Sequence, residues 1–219
     1  GGKYREAMTA FALLTYLAIT GRPHTREALA GLLWGEATEA NARAGLRKSL
    51  ADLRKSLGPH LLISRRQVTF DRGQPYWLDV EVFEGGRAIL AARERDGALT
   101  DEDAVTLASV IDLYQGDFMA GFHVRRAPGF EDWCTLKRER LRLLALRASH
   151  TLSYHYAARG AYTQAIAYVG RVLALEPGQE EAHRQMMSLL ALTGQSGAAL
   201  RQYNTCHRIL AEELGVAPE

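Results

Sequence analysis

The sequence predicts a mainly α-helical protein in two parts: a first part of helices closed by one short β-hairpin, and an all-α remainder. Three observations lead there. Apolar residues recur at helical spacing through most of the 219 residues. Two short β-prone runs, Leu61-Leu62-Ile63 and Val68-Thr69-Phe70, stand between the helical stretches. The charge also divides. Residues 1–78 carry 12 Lys+Arg against 6 Asp+Glu, whereas residues 79–219 carry 15 against 19. A net charge of +2 therefore conceals a basic first third beside an acidic remainder, as expected if only the first part meets a polyanion.

With 47% hydrophobic and 24% charged residues the chain has the composition of a globular protein with a core. It holds no run of about 18 apolar residues that would span a membrane. Its opening Gly1-Gly2-Lys3-Tyr4-Arg5 lacks a secretory pattern. Cys134 and Cys206 form no CxxC pair, so the expectation is a reducing cytoplasm with neither disulfide nor zinc site.

Residues 6–19 are almost uninterruptedly apolar and predict a helix buried on most sides, stopped by Gly21 and Pro23. Thr25 stands where an N-cap belongs, with Glu27 in the first turn of a short helix, Arg26–Trp34, that turns Leu29, Leu32 and Leu33 inward. Gly35 ends it. The next helix, Glu39–Leu57, aligns Leu46, Leu50, Leu53 and Leu57 in one narrow stripe. Arg43, Arg47 and Arg54 flank that stripe, with Lys48 and Lys55 further round and Ala44 and Ala51 between them. Such a face suits either plain solvation or a helix lying in a DNA major groove, where Arg reads guanine and Lys neutralises phosphate. After the Gly58-Pro59 break, the two β-prone runs flank Ser64-Arg65-Arg66-Gln67, a hairpin with two arginines at its tip. Three helices and a basic ribbon make a winged helix-turn-helix arrangement with a short β-hairpin wing.

Beyond Asp79 nothing reads as a strand. Thr100-Asp101-Glu102-Asp103 fits a capping box and starts a helix running to about Tyr114. Phe130–Arg159 predicts a long helix keeping Leu141, Leu144, Ala148 and Leu152 on one face, interrupted at Gly160. Gly160, Ala165 and Val169 recur 34 residues later as Gly194, Ala199 and Tyr203, the period of tetratricopeptide helix pairs. Pro177 closes the first such unit. The second departs from the pattern, its last helix running through Leu214 and Pro218 coming late. Stacked helix pairs present concave surfaces to peptides or proteins, or merely pack together.

Chemistry is hard to find. The seven histidines make no HExxH, and His150 and His155 are five apart, a poor spacing for one helical face. No GxGxxG or Walker-type loop occurs. The expectation is a non-enzyme without a cofactor or metal.

At this point the residues match a known pattern. LLTYLAITGRPHTREALAGLLWGEATEANARAGLRKSLADLRKSLG resembles the winged-helix domain of the Streptomyces antibiotic regulatory protein type. YQGDFMAGF (114–122), FEDW (130–133), KRERLR (137–142), AHRQMMSLLALTG (182–194), ALRQYNTCHRIL (199–210) and EELGVAPE (212–219) resemble the bacterial transcriptional activator domain that follows it. The resemblance implies a DNA-binding domain in residues 1–78 and a tetratricopeptide-like activator domain in 79–219. It further implies an activator that binds direct repeats in double-stranded DNA, as two subunits side by side, and contacts RNA polymerase holoenzyme. On this sequence the family's recognition helix falls on Ala40–Leu57, with Arg43, Arg47, Lys48 and Arg54 as contacts. Thr25 and Arg26 match phosphate-touching positions, and Arg65 and Arg66 match the wing. Relatives begin with a small β-sheet before the first helix, whereas this chain opens at the Gly-Gly-Lys that would follow it. The competing expectation is a protein-interaction adaptor whose winged helix does not bind DNA productively.

Overall fold

A computed structural model describes residues 2–213; Leu214, Pro218 and the close of the 212–219 motif lie outside the described residues. Packing divides the chain into two compact units, residues 1–81 with 116–139 and residues 82–115 with 140–219.

In the first unit α1 (Gly2–Thr20) sinks Ala12, Leu13 and Leu17 completely. α2 (Arg26–Trp34) starts where its sequence says it should: the Thr25 hydroxyl accepts from the Ala28 amide at 3.1 Å, a cap whose loss costs about 1 kcal/mol. α3 (Glu39–Leu57) buries Ala42, Leu46, Leu50 and Leu53 against α1 and α2. Gly45 lets the indole of Trp34 lie against the α3 backbone, since a Cβ there would stand 2.5 Å from Trp34 Nε1. The hairpin follows, β2 (Leu61–Ile63) antiparallel to β3 (Gln67–Phe70) with Leu61 opposite Phe70. A third strand, β1 (His24–Thr25), pairs with the other edge of β3, His24 opposite Val68 and Thr25 opposite Gln67, in the order β1-β3-β2. Two residues are too few for a periodic signal, and only the cap at Thr25 is legible in the sequence.

Residues 116–139 complete this core from outside the first 78 residues. Phe122, Val124, Ala127, Phe130 and Cys134 belong to the same apolar cluster as Leu13 and Leu17. Phe122 meets Phe11 edge-on at 5.4 Å, and Trp133 meets Tyr16 at 5.0 Å. Arg138 Nε donates to the Phe118 carbonyl at 3.1 Å, fastening the loop. Burial pushes the Cys134 thiol up to about 11, so it stays protonated and packs as a small apolar group. The packing thus groups the FEDW block and the YQGDFMAGF block from Gly116 onward with the first unit, inside the stretch that sequence alone assigns to 79–219.

The second unit is built from helices: α4 (Asp79–Asp96) beyond its first turn, α5 (Asp101–Ile111), the later turns of α6 (Pro128–Ala158), α7 (Tyr162–Leu175), α8 (Glu180–Leu192) and α9 (Ser196–Glu213). Thr100 caps α5 by accepting from the Asp103 amide at 3.1 Å. The helix stops at Ile111, three residues early, because the chain tightens into i to i+3 turns at Leu113 and Tyr114. α6 buries Leu141, Leu144, Ala148 and Leu152, as its periodicity requires. The 34-residue recurrence has a physical counterpart. Gly160 (φ +74°) and Gly194 (φ +76°) both turn the chain through the left-handed region that favours glycine. Ala165 and Val169 are fully buried, whereas Tyr203 is 49% exposed. His183, buried on α8, donates from Nε2 to the Pro177 carbonyl (2.8 Å) and accepts at Nδ1 from Gln202 (2.6 Å), tying α8 to α9.

Candidate functional site

Four cations of the first unit line one open groove. Its lining is Arg26, Arg47, Leu50, Ala51, Arg54, Lys55 and Ile63, and its volume is about 480 Å³. One wall is α3, on which Arg43, Arg47 and Arg54 lie within an arc of about 40° at 100° per residue. Ala51 stands between Arg47 and Arg54 and leaves the floor shallow. Arg47 and Arg54 are exposed and form no side-chain hydrogen bond or ion pair to a described residue.

The other wall is the start of α2 and the hairpin turn, and they are cross-braced. Arg26 donates its amide to the Arg66 carbonyl and its Nε to the Ser64 carbonyl, each at 3.0 Å. The first bond satisfies one of the amides a helix N-terminus leaves open. The Ser64 hydroxyl accepts from the Gln67 amide at 2.9 Å and the Arg66 amide at 3.3 Å, closing the turn from within. Both carbonyl partners of Arg26 are backbone, so the turn is held while the Arg65 and Arg66 side chains stay exposed.

Behind this wall lies His24. The Thr20 hydroxyl donates to the Tyr16 carbonyl at 2.7 Å, so its oxygen takes the Nε2 proton of His24, also at 2.7 Å. Burial, helped by Arg22, holds the imidazole below its ordinary pKa.

Of the eight residues expected from sequence, Arg26, Arg47 and Arg54 share the groove, and Arg65 and Arg66 cap the turn beside it. Thr25 is committed to its helix cap. Arg43 lies on the same flank of α3 but is ion-paired to Glu39 one turn away. Lys48 faces α1, where it meets Glu6 at 2.5 Å. Lys55, which sequence places further round, also lines the groove, its ammonium 3.7 Å from Asp52. The brace from Arg26 to Ser64 joins residues 38 apart and had no signal in the sequence. Four cations around an apolar floor can hold an anionic, grooved surface against α3. Among the described residues no three His, Cys, Asp or Glu side chains gather as a metal site needs. Nor, among them, is any helix long and apolar enough to cross a membrane.

Comparison with known proteins settles the kinship. The bacterial transcriptional activator domain matches residues 78–219. The chain belongs to that family. This activator-domain protein is also 30% identical over 228 residues to Regulatory protein AfsR of Streptomyces coelicolor, a match over 100% of the chain and 21% of the relative. To Regulatory protein AfsR of Streptomyces griseus it is 30% identical over 210 residues, 94% of the chain and 20% of the relative. It thus spans about a fifth of the length of the curated relatives it matches. Among solved structures it is similar to Mycobacterium tuberculosis EmbR in complex with a low-affinity phosphopeptide. The TM-score is 0.65 at 22% identity, over 97% of this chain and 56% of that one, a likeness of fold.

Proposed function

We propose that this activator-domain protein binds double-stranded DNA sequence-specifically through the first unit, as a winged helix-turn-helix. It is a transcriptional activator on promoter direct repeats, and it works by binding rather than by catalysis. The observation that carries this reading is the pair of uncommitted guanidiniums, Arg47 and Arg54, astride Ala51 on α3. Arginine at such a place donates two parallel hydrogen bonds to guanine O6 and N7, and the small alanine admits the edge of the base pair. Arg65 and Arg66, on a braced turn beside the groove, then meet the sugar-phosphate backbone. For the second unit the partner is protein, RNA polymerase foremost. Leu192, Leu200 and Tyr203 of α8 and α9 are 64%, 68% and 49% exposed, apolar surface of the kind a protein partner covers. Two copies side by side on a repeated site complete the reading.

Selection of binding sites from a random duplex pool with the 219-residue chain tests it. A repeated motif should emerge. Affinity for it should fall with salt at a log–log slope of about −0.9 per phosphate contact. A pool that yields no motif, with capture of polymerase subunits intact, favours the adaptor reading instead.

A further inference from the structure

We infer that Trp133, far from the groove in sequence and outside residues 1–78, is a positioning residue for the basic hairpin turn. The inference rests on the DNA reading of the groove and adds to it what holds the turn in place. A line of side-chain contacts runs through the first unit. Phe118 and Phe130 pack on Trp133, with ring centroids 5.8 and 5.5 Å away. Trp133 stands edge-on to Tyr16 of α1 at 5.0 Å. Tyr16 lies 4.8 Å from the imidazole of His24, which Thr20 holds by its Nε2. His24 is buried and its backbone pairs with Val68 of β3. The next two residues are the Thr25 cap, paired with Gln67, and Arg26, whose amide and Nε hold the turn carbonyls of Arg66 and Ser64.

The physical consequence concerns β1. A two-residue strand has too few ladder bonds to define its own position. Its place is set by the packing of its one buried side chain, His24, and that side chain rests on Tyr16. Tyr16 is only half-buried, and the indole of Trp133 packs edge-on against its ring. Take the indole away and Tyr16 gains room to rotate, His24 loses its rest, and β1 shifts against β3. The first function to suffer is the geometry of the turn, because Arg26 follows His24 by two residues and carries both braces. Among the described residues no cation–π contact joins Trp133 to a cation lining the groove.

The test is a double-mutant cycle in the whole chain, read by DNA affinity for a mixed-sequence duplex at low salt. Trp133→Ala should weaken binding by about tenfold, the weight of about 1.4 kcal/mol, and make the salt slope shallower by about one to two phosphate contacts. Trp133→Phe, which keeps a ring against Tyr16, should restore most of both. In a chain already lacking Arg65 and Arg66, Trp133→Ala should cost almost nothing more. Should Trp133→Ala fail to fold, Tyr16→Leu is the second probe, since it keeps apolar bulk but breaks both ring contacts. A readout without DNA stands beside these: hydrogen exchange at the Arg26 amide should speed up in Trp133→Ala. Losses that add independently to those of the Arg65/Arg66 pair, or unchanged Arg26 exchange and affinity in a folded variant, overturn the inference. A wild-type chain that binds no duplex at any salt removes the groove reading beneath it, a different result from additive losses.

Discussion

The arginines along the groove of the first unit stand apart from the ion-paired arginines of the second. In the second, arginine after arginine is paired with a carboxylate: Arg87 with Glu84, Arg147 with Glu94, Arg159 with Asp101, Arg171 with Asp112, Arg184 with Glu181, Arg208 with Glu212. In the first, Arg47, Arg54, Arg65 and Arg66 point from α3 and the hairpin turn with no carboxylate engaged, while acidic partners sit off the groove floor at Glu39 and Glu6. The same residue type thus serves local order where it is paired and leaves donors open along the groove. An open guanidinium pays no energy to leave an ion pair when a phosphate or a base arrives, so the difference marks where an external anion is expected. The net charge of the whole chain hides this, because what matters is which charges are already neutralised.

The comparison breaks most visibly if the first unit can do without residues 116–139. Phe130 is completely buried in its core although it lies 52 residues beyond position 78. Phe130→Ala should destabilise that unit by about 3–5 kcal/mol. Chemical denaturation followed by the near-ultraviolet signal of the aromatic cluster should show it, with DNA binding lost alongside. A variant as stable as wild type would mean that residues 1–81 stand alone. Next in size is the groove itself. Arg47→Ala should cost about 1–3 kcal/mol of binding to the selected site and relax preference at one base pair, with the thermal midpoint unmoved. Arg66→Ala should weaken all duplexes alike. Equal, sequence-independent losses at both positions would remove the base-reading role from α3.

Much of this was legible in the sequence, and the reason differs from residue to residue. The leucine stripe of α3 and the Thr25 and Thr100 caps are local patterns, fixed by spacing within one or two turns. So is the arc of Arg43, Arg47 and Arg54. Whether a cation on that arc is free is not local. Lys48 is one residue from Arg47, yet it turns to Glu6, which only the packing of α1 brings near. The brace from Arg26 to Ser64 and the pairing of β1 with β3 depend on backbone groups that every residue carries, so side-chain identity cannot announce them. The aromatic residues at 118–133 were visible as family blocks. That they pack against α1 could not be read, because an apolar run says that it will be buried, not against what.

Acidity acts on both units and sharpens the contrast between their buried histidines. Burial holds His24 below its ordinary value near 6.5, and burial with help from Arg159 does the same for His155 in spite of Asp101. Both are neutral in the folded chain at a pH where the unfolded chain has begun to bind protons. Unfolding then takes up protons, so their contribution is complete above about pH 6.5 and is lost as pH falls through the lowered folded values. Half-buried His60, raised by its bonds to the Pro75 and Leu57 carbonyls, works in the other direction. Denaturation midpoints measured across this range should decline toward acid. His24→Gln should flatten that decline for the first unit while leaving the second unit's intact. A slope that His24→Gln does not change would place the first unit's sensitivity elsewhere.

The smallest expected effect is the sharpest test of the division between the units. Arg147 and Glu94 form an exposed pair, their side chains 55% and 58% accessible. Water screens the attraction and both side chains lose freedom in holding it, so Arg147→Ala should cost about 0–1 kcal/mol of stability. It should leave DNA affinity and its salt slope where they were. Arg47→Ala removes the same charge and the same number of donors, with the opposite signature: no stability lost, binding lost. Neutralising one arginine therefore distinguishes two accounts of the basic residues. If net charge alone drew the chain to DNA, both variants would lower affinity by similar amounts at low salt. If the open groove draws it, only Arg47→Ala does, because the Arg147 charge is already offset by Glu94.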